Sequence, residues 1–198
     1  MSEPIYIVRH GQTDWNVELR LQGQSETDLN EVGRGQAAAN GRLLARLIDD
    51  PSRFTFLASP MKRTRQTMEI IRGALGLPST GYGTDPRLVE VHFGDWEAYT
   101  FAELEKKTPG SSTARDHDKW GFLPPGAGAE SYAMMAERVR PWLKDLAGPI
   151  VVVTHGGVIR AMFNILNGMP GAEAAAMEVP QNRVATIKDG RIGWISSV

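Results

Sequence analysis

The chain of 198 residues has no cysteine, so disulfides, thiolate metal sites and thiol nucleophiles are excluded from its chemistry. No apolar run approaches the roughly 20 residues that a membrane span requires, so no membrane partner is expected. The opening Met1-Ser2-Glu3-Pro4, followed by the short run Ile5-Tyr6-Ile7-Val8, lacks the basic start and long apolar core of an export signal, and a cytoplasmic location is expected. An excess of one charge is also missing. With 22 Lys+Arg against 23 Asp+Glu and no long basic run, the electrostatic footprint of a nucleic-acid binder is absent. Neither a Walker sequence nor a Gly-x-Gly-x-x-Gly after a strand is present, which removes nucleotide binding through those loops. Histidine is scarce, at 4 residues, and this scarcity makes the position of each one informative.

The length suits one ordinary α/β domain, and no internal repeat or linker divides residues 1–198. Residues 5–8 and 150–153 are short apolar runs, the pattern of strands buried on both faces of a parallel sheet. Asn30 offers a cap to a helix that Asp49-Asp50-Pro51 stops. Residues 54–58 read as the next strand. Ser59-Pro60 then resembles a cap followed by proline at the first helical position, opening a helix with Met61, Met68, Ile71 and Leu75 on one stripe. A third strand is expected near Leu88, helices over residues 130–146 and 158–166, and a closing hairpin around Lys188-Asp189-Gly190-Arg191. Residues 92–130 hold a short helix near Phe101 and a Pro/Gly/Ser-rich passage, the composition of a lid or binding segment. The expected class is therefore α/β, a three-layer α/β/α sandwich with a mostly parallel central sheet and a loop-rich lid insert.

Two segments share one grammar. Ile5-Tyr6-Ile7-Val8-Arg9-His10-Gly11 and Ile150-Val151-Val152-Val153-Thr154-His155-Gly156-Gly157 are each an apolar strand ending in His-Gly. Ligands of open α/β sheets bind outside the carboxyl ends of parallel strands, so both imidazoles are expected at one edge. Arg63 follows the strand expected over residues 54–58 and, leaning toward its helix N-terminus, would join Arg9 there. Two guanidinium forks suit one phosphate, a geometry that lysine cannot supply. Amides at the start of the helix after Gly156-Gly157 would add a further anion site. The missing part is a proton donor for a leaving alcohol. Glu90 is placed for it at the expected third strand end, where an incoming phosphate dianion favours a neutral carboxyl; Asp95 and Glu97 compete for the role. His92 and His117 read as solvated side chains, and Trp120 and Phe122 as aromatic anchors packing the lid.

Arg9-His10-Gly11, Ser59-Pro60-(x2)-Arg63-(x3)-Thr67, Leu88-(x)-Glu90 with Gly94-Asp95-Trp96-Glu97, and Thr154-His155-Gly156-Gly157 resemble, in order, the signatures of the histidine phosphatase superfamily, the phosphoglycerate mutase-like clan. The similarity spans nearly the whole chain. It implies that His10 attacks phosphorus to give a phosphohistidine, that Arg9, Arg63 and His155 clamp the phosphoryl oxygens, and that Glu90 protonates the leaving oxygen. It also implies loop contacts from Asn16 and Gln22, and no metal or other cofactor. Ala98, Ala129 and Glu26 depart from the residues common in relatives and bear on substrate preference. Mutases of this clan are longer, with a basic middle insertion that closes over a sugar acid. The short passage here has chiefly Arg115 and Lys119, which favours a phosphatase of small phosphorylated metabolites over a cofactor-dependent phosphoglycerate mutase. A non-catalytic phospho-ligand binding module is the alternative of another class. The substrate and the oligomeric state stay open, with a homodimer as the default assembly.

Overall fold

The computed structural model describes residues 4–195; the opening Met1–Glu3, on which the reading of the start rests, lies outside them. Strands β1 (Ile5–Arg9) and β4 (Ile150–Thr154) pair in parallel at the centre of a six-stranded sheet, with Arg9 opposite Thr154. Beyond β4 lie β2 (Thr55–Ala58) and β3 (Gly83–Thr84), all parallel. Beyond β1 lies the hairpin of β5 (Val184–Lys188) and β6 (Arg191–Trp194), with β5 antiparallel to β1. The order β3-β2-β4-β1-β5-β6 is the mostly parallel sheet that the apolar runs imply.

The pleat sends alternate side chains to opposite faces, and each face is covered. Tyr6, Val8, Val151 and Val153 pack against Leu44 of α2 (Glu31–Leu47) and against Met68 and Ile71 of α3 (Lys62–Ala74). Ile7, Ile150 and Val152 face the other way. There they meet Met135, Val139 and Trp142 of α6 (Tyr132–Lys144) and Ile159 and Met162 of α7 (Gly156–Asn167). Asn30 caps α2 as expected, accepting from Gly33 N at 2.9 Å. Truncating a fully buried side chain such as Met68 would cost about 2–5 kcal/mol.

Three local expectations differ from the structure. Helix α3 begins at Lys62, two residues later than Ser59-Pro60 suggests, and Met61 at its cap position makes no side-chain capping bond. Ser59 is committed elsewhere, to His155. Residues 88–90 are not a strand: a 3-10 turn over Pro86–Leu88 leads into irregular backbone, and the third strand is Gly83–Thr84. Proline and the Asp85 side chain, which accepts from Arg87 N, favour that turn over a ladder. The 92–130 segment is also more ordered than its composition suggests. It carries α4 (Phe101–Lys107), opened by a Thr100/Glu103 capping box, and α5 (Ser111–His117). Trp120 stacks on Tyr132 of α6, with ring centroids 6.0 Å apart, fastening the segment to the sheet's helical layer, and Phe122 stacks on Trp96 within the segment at 5.0 Å. Short helices α1 (Asp14–Val17) and α8 (Gly171–Ala176) complete the described α-helices. Among the described residues, no helix is long and apolar enough to cross a membrane.

Candidate active site

The register of the central strands decides the site. Because Arg9 lies opposite Thr154, the next residue on each strand emerges beside the other, and His10 N donates to Thr154 O at 2.9 Å. The His10 and His155 rings sit 5.2 Å apart in an edge arrangement, both buried. His10 Nδ1 lies 2.8 Å from Gly11 O. A carbonyl only accepts, so Nδ1 holds the proton and Nε2 keeps its lone pair. Burial first, then the positive charges of Arg63 and Arg9, hold the His10 imidazole well below the ordinary value of 6.5. His155 is depressed in the same way, by burial and then by Arg63, His10 and Arg9. Both rings are therefore neutral at neutral pH. Ser59 Oγ lies 2.8 Å from His155 Nε2 and fixes that ring's orientation.

Arg9 and Arg63 reach the same cavity as His10. Arg9 Nη1 donates to Val179 O at 2.6 Å, and burial lowers its guanidinium to about 10 against the opposing pull of Glu90. Arg63 is fully buried, with Nη1 on Ser25 O and Nη2 on Gly23 O, each at 2.8 Å. Part of its fork is thus spent on orienting itself, and the expected two-pronged grip on phosphate is narrowed to the remaining N–H groups. Among the described residues, Arg9 Nε, Arg63 Nε and His155 Nδ1 are buried without a hydrogen-bond partner. Three such groups in one cluster are costly to fold unless an anion meets them.

Glu97, a rival for the acid role, proves to be a brace. Its carboxylate accepts from Gln24 N and Ser25 Oγ at 2.8 Å and from Phe93 N at 3.2 Å. It thereby holds the loop whose carbonyls hold Arg63. Gly23, at φ 48°, allows this approach, since a side-chain carbon there would collide with Glu97 Oε1. Asp95 is exposed, and of the three acidic candidates only Glu90 lines the cavity. Glu90 Oε2 accepts from Gly157 N at 3.1 Å and Oε1 from Val91 N at 2.9 Å. The Gly157 amide, expected to bind an anion directly, instead positions the carboxyl. Gly157 also has no room for a side chain, because a Cβ would strike Glu90 Oε1.

Asn16 and Gln22 line the cavity, which has a volume of about 150 Å³. Asn16 Oδ1 accepts from Gln181 Nε2 at 3.1 Å, and Gln22 Oε1 from Thr27 Oγ1 at 2.8 Å. Gly156 is absent from the lining and backs instead onto the Arg9 and Arg160 guanidiniums. His92 Nδ1 is used by Gly94 N, and His117 is exposed on α5. Sequence reasoning missed Arg160, Tyr132, Phe93 and Arg20, which complete the cavity wall. Arg160 was discoverable, one helical turn beyond Gly156 on a helix whose start was already assigned to the site. Among the described residues, no group of three or more His, Cys, Asp and Glu side chains could hold a metal ion.

Facing imidazoles at the ends of two central parallel strands, flanked by arginines with unspent donors and one carboxyl, have the make-up of a phosphoryl-transfer site. Comparison with known proteins gives this class its family. The model of the histidine phosphatase superfamily (branch 1) matches residues 5–195. The chain is 34% identical over 179 residues to a glucosyl-3-phosphoglycerate phosphatase of Mycolicibacterium vanbaalenii, covering 84% of this chain and 75% of that protein. It is 28% identical over 208 residues to a probable phosphoglycerate mutase of Photorhabdus laumondii, covering 98% and 88% respectively. The solved structure of a mycobacterial glucosyl-3-phosphoglycerate phosphatase complexed with VO3 superposes with a TM-score of 0.80 at 30% identity, covering 99% of each chain. The chain belongs to the histidine phosphatase superfamily.

Proposed function

We propose that this protein is a metal-independent phosphatase of small phosphomonoesters that works through a phosphohistidine on His10. The observation that carries the reading is the locked tautomer: Nδ1–H on Gly11 O leaves Nε2 as a neutral nucleophile inside a cavity lined by Arg9, Arg63 and Glu90. Nε2 attacks phosphorus, a P–N bond forms, and the P–O bond to the alcohol breaks. Arg9 and Arg63 balance charge on the equatorial oxygens. In this reading the Ser59 hydroxyl donates to His155 Nε2, so that His155 Nδ1–H is the third oxygen donor. Glu90 gives its proton to the departing alcohol and then takes one from the water that cleaves the phosphoenzyme. Asn16 contacts the substrate from α1 and Gln22 from the loop that follows it. The reading puts the enzyme in the cytoplasm, where phosphorylated metabolites would be met, as a homodimer, which light scattering checks.

The test is trapping by an alkaline detergent quench with a 32P-labelled ester, together with assays of p-nitrophenyl phosphate hydrolysis and of 3- and 2-phosphoglycerate interconversion. A base-stable, acid-labile label that His10→Ala abolishes, with release of inorganic phosphate, is expected. Bisphosphoglycerate-dependent interconversion outrunning hydrolysis would make the enzyme a mutase. Phosphate binding without any hydrolysis would make it a binding module.

A further inference from the structure

A side-chain amide can meet a ligand with its donor end or its acceptor end, and for Asn16 the fold decides which. Asn16 sits on α1, a helix of 4 residues with none of them buried, so apolar packing does not place it. Polar ties do. Thr13 N donates to Asn16 Oδ1 at 3.1 Å and Asn16 N to Thr13 Oγ1 at 3.3 Å, a capping box that folds the side chain back on its own helix. A backbone N–H only donates, so the atom facing Thr13 N is the amide oxygen. Among the described residues, the other end, Nδ2, has no hydrogen-bond partner, and Asn16 lines the catalytic cavity.

The tie that reaches Asn16 from outside its own segment comes from Gln181, in the turn before β5. Gln181 Nε2 donates to Asn16 Oδ1 at 3.1 Å and to His10 O at 3.2 Å. A carbonyl oxygen only accepts, so the backbone fixes this orientation too, and both N–H bonds of the Gln181 amide are spent. The main chain of Gln181 is held in turn, its O accepting from Asn40 Nδ2 at 2.9 Å. Asn40 is buried within α2, where asparagine is a poor helix former. One side chain thus joins the residue that carries the nucleophile to an amide on the wall of the same cavity.

We propose that Gln181 is a positioning residue, which by donating to Asn16 Oδ1 keeps that amide turned so that Nδ2 donates to an oxygen of the bound phosphoryl group. The inference rests on the phosphatase reading, in which Asn16 contacts the substrate. Turned the other way, the amide would set its oxygen against an anion, and the contact would repel instead of bind. Gln181 touches neither phosphorus nor the alcohol; it acts through Asn16. Its second bond, to His10 O, anchors it to the strand end from which the nucleophile emerges.

Binding of inorganic phosphate, measured by calorimetry, reads this contact without turnover. The variants are Gln181→Met, which keeps the length and loses both donors, Asn16→Ala, and the two together. Asn16→Ala should weaken phosphate about 10- to 30-fold and Gln181→Met about 3- to 10-fold. The double variant should bind within about twofold of Asn16→Ala alone, because an amide that is gone has no orientation to lose. A merely structural role gives the opposite result, two losses that multiply. Urea unfolding checks that each variant is folded, and Gln181→Ser, which admits water in place of the amide, repeats the cycle if Gln181→Met is not. Losses that multiply, or phosphate binding untouched by the change at Gln181, overturn the proposal. Hydrolysis of p-nitrophenyl phosphate by the unaltered protein is read separately. If it is absent while the coupling between Gln181 and Asn16 holds, the phosphatase reading fails and the positioning role stands.

Discussion

Lowering the pH from 8 to 5 should destabilise this protein through His10 and His155. Both imidazoles are buried and depressed below 6.5, chiefly by desolvation and then by the arginines beside them. The folded state therefore excludes protons that the unfolded chain binds as pH falls through 6.5, so the stability is complete above that value and is lost toward the folded pKa. Each imidazole still neutral in the fold at pH 5 contributes a loss of about 2 kcal/mol, from 1.36 kcal/mol per pH unit, and the pair about 4 kcal/mol. Carboxylates such as Asp85, lowered by its Arg87 hydrogen bond, and Glu105, held at about 2 by Ser112 and Gly110, add acid sensitivity only below about pH 4.5. Urea unfolding followed by circular dichroism at half-unit pH steps reads the slope, and His10→Gln and His155→Gln should each remove about half of it. A flat profile between pH 6.5 and 5, or a slope untouched by either variant, would refute the account of two neutral buried rings.

Replacing Glu90 by Gln should slow hydrolysis of alkyl phosphates about 100-fold or more while sparing p-nitrophenyl phosphate, whose leaving group needs no proton; kcat across a leaving-group series checks this. Arg63→Lys should lower kcat/KM on any ester by about 10- to 100-fold, since one ammonium nitrogen cannot span Ser25 O and Gly23 O as the two Nη atoms of the planar fork do. Glu97→Gln loosens the loop that holds Arg63, and steady-state assays should show a smaller loss of about three- to tenfold in the same direction.

The sequence was legible wherever one residue's chemistry acts locally. The apolar runs before His10 and before His155 gave two strands, Asn30 its cap, and the hairpin around Asp189-Gly190 its turn. The nucleophile candidate and its partners followed because His-Gly at a buried strand end is a pattern of neighbours in the chain. Ser59 misled because its hydroxyl suits a helix cap as well as an imidazole, and only the approach of β4 supplies that imidazole. Leu88-Val89-Glu90 misled because apolar residues beside a carboxylate read as a strand end, while the Asp85 side chain and Pro86 commit the backbone to a turn.

What the sequence determined alone is the kind of chemistry: no thiol, an alternating α/β order, and two histidines and two arginines at ends of elements. Tertiary structure decided which groups meet. The β1–β4 register sets the two rings 5.2 Å apart, and Glu97 acts through a loop on Arg63. The same packing sets Arg160 beside Arg9, though 151 positions separate them in the chain. The physical reason is that local propensities act over a few residues, whereas burial and electrostatic fields depend on distances that exist only once the sheet has formed.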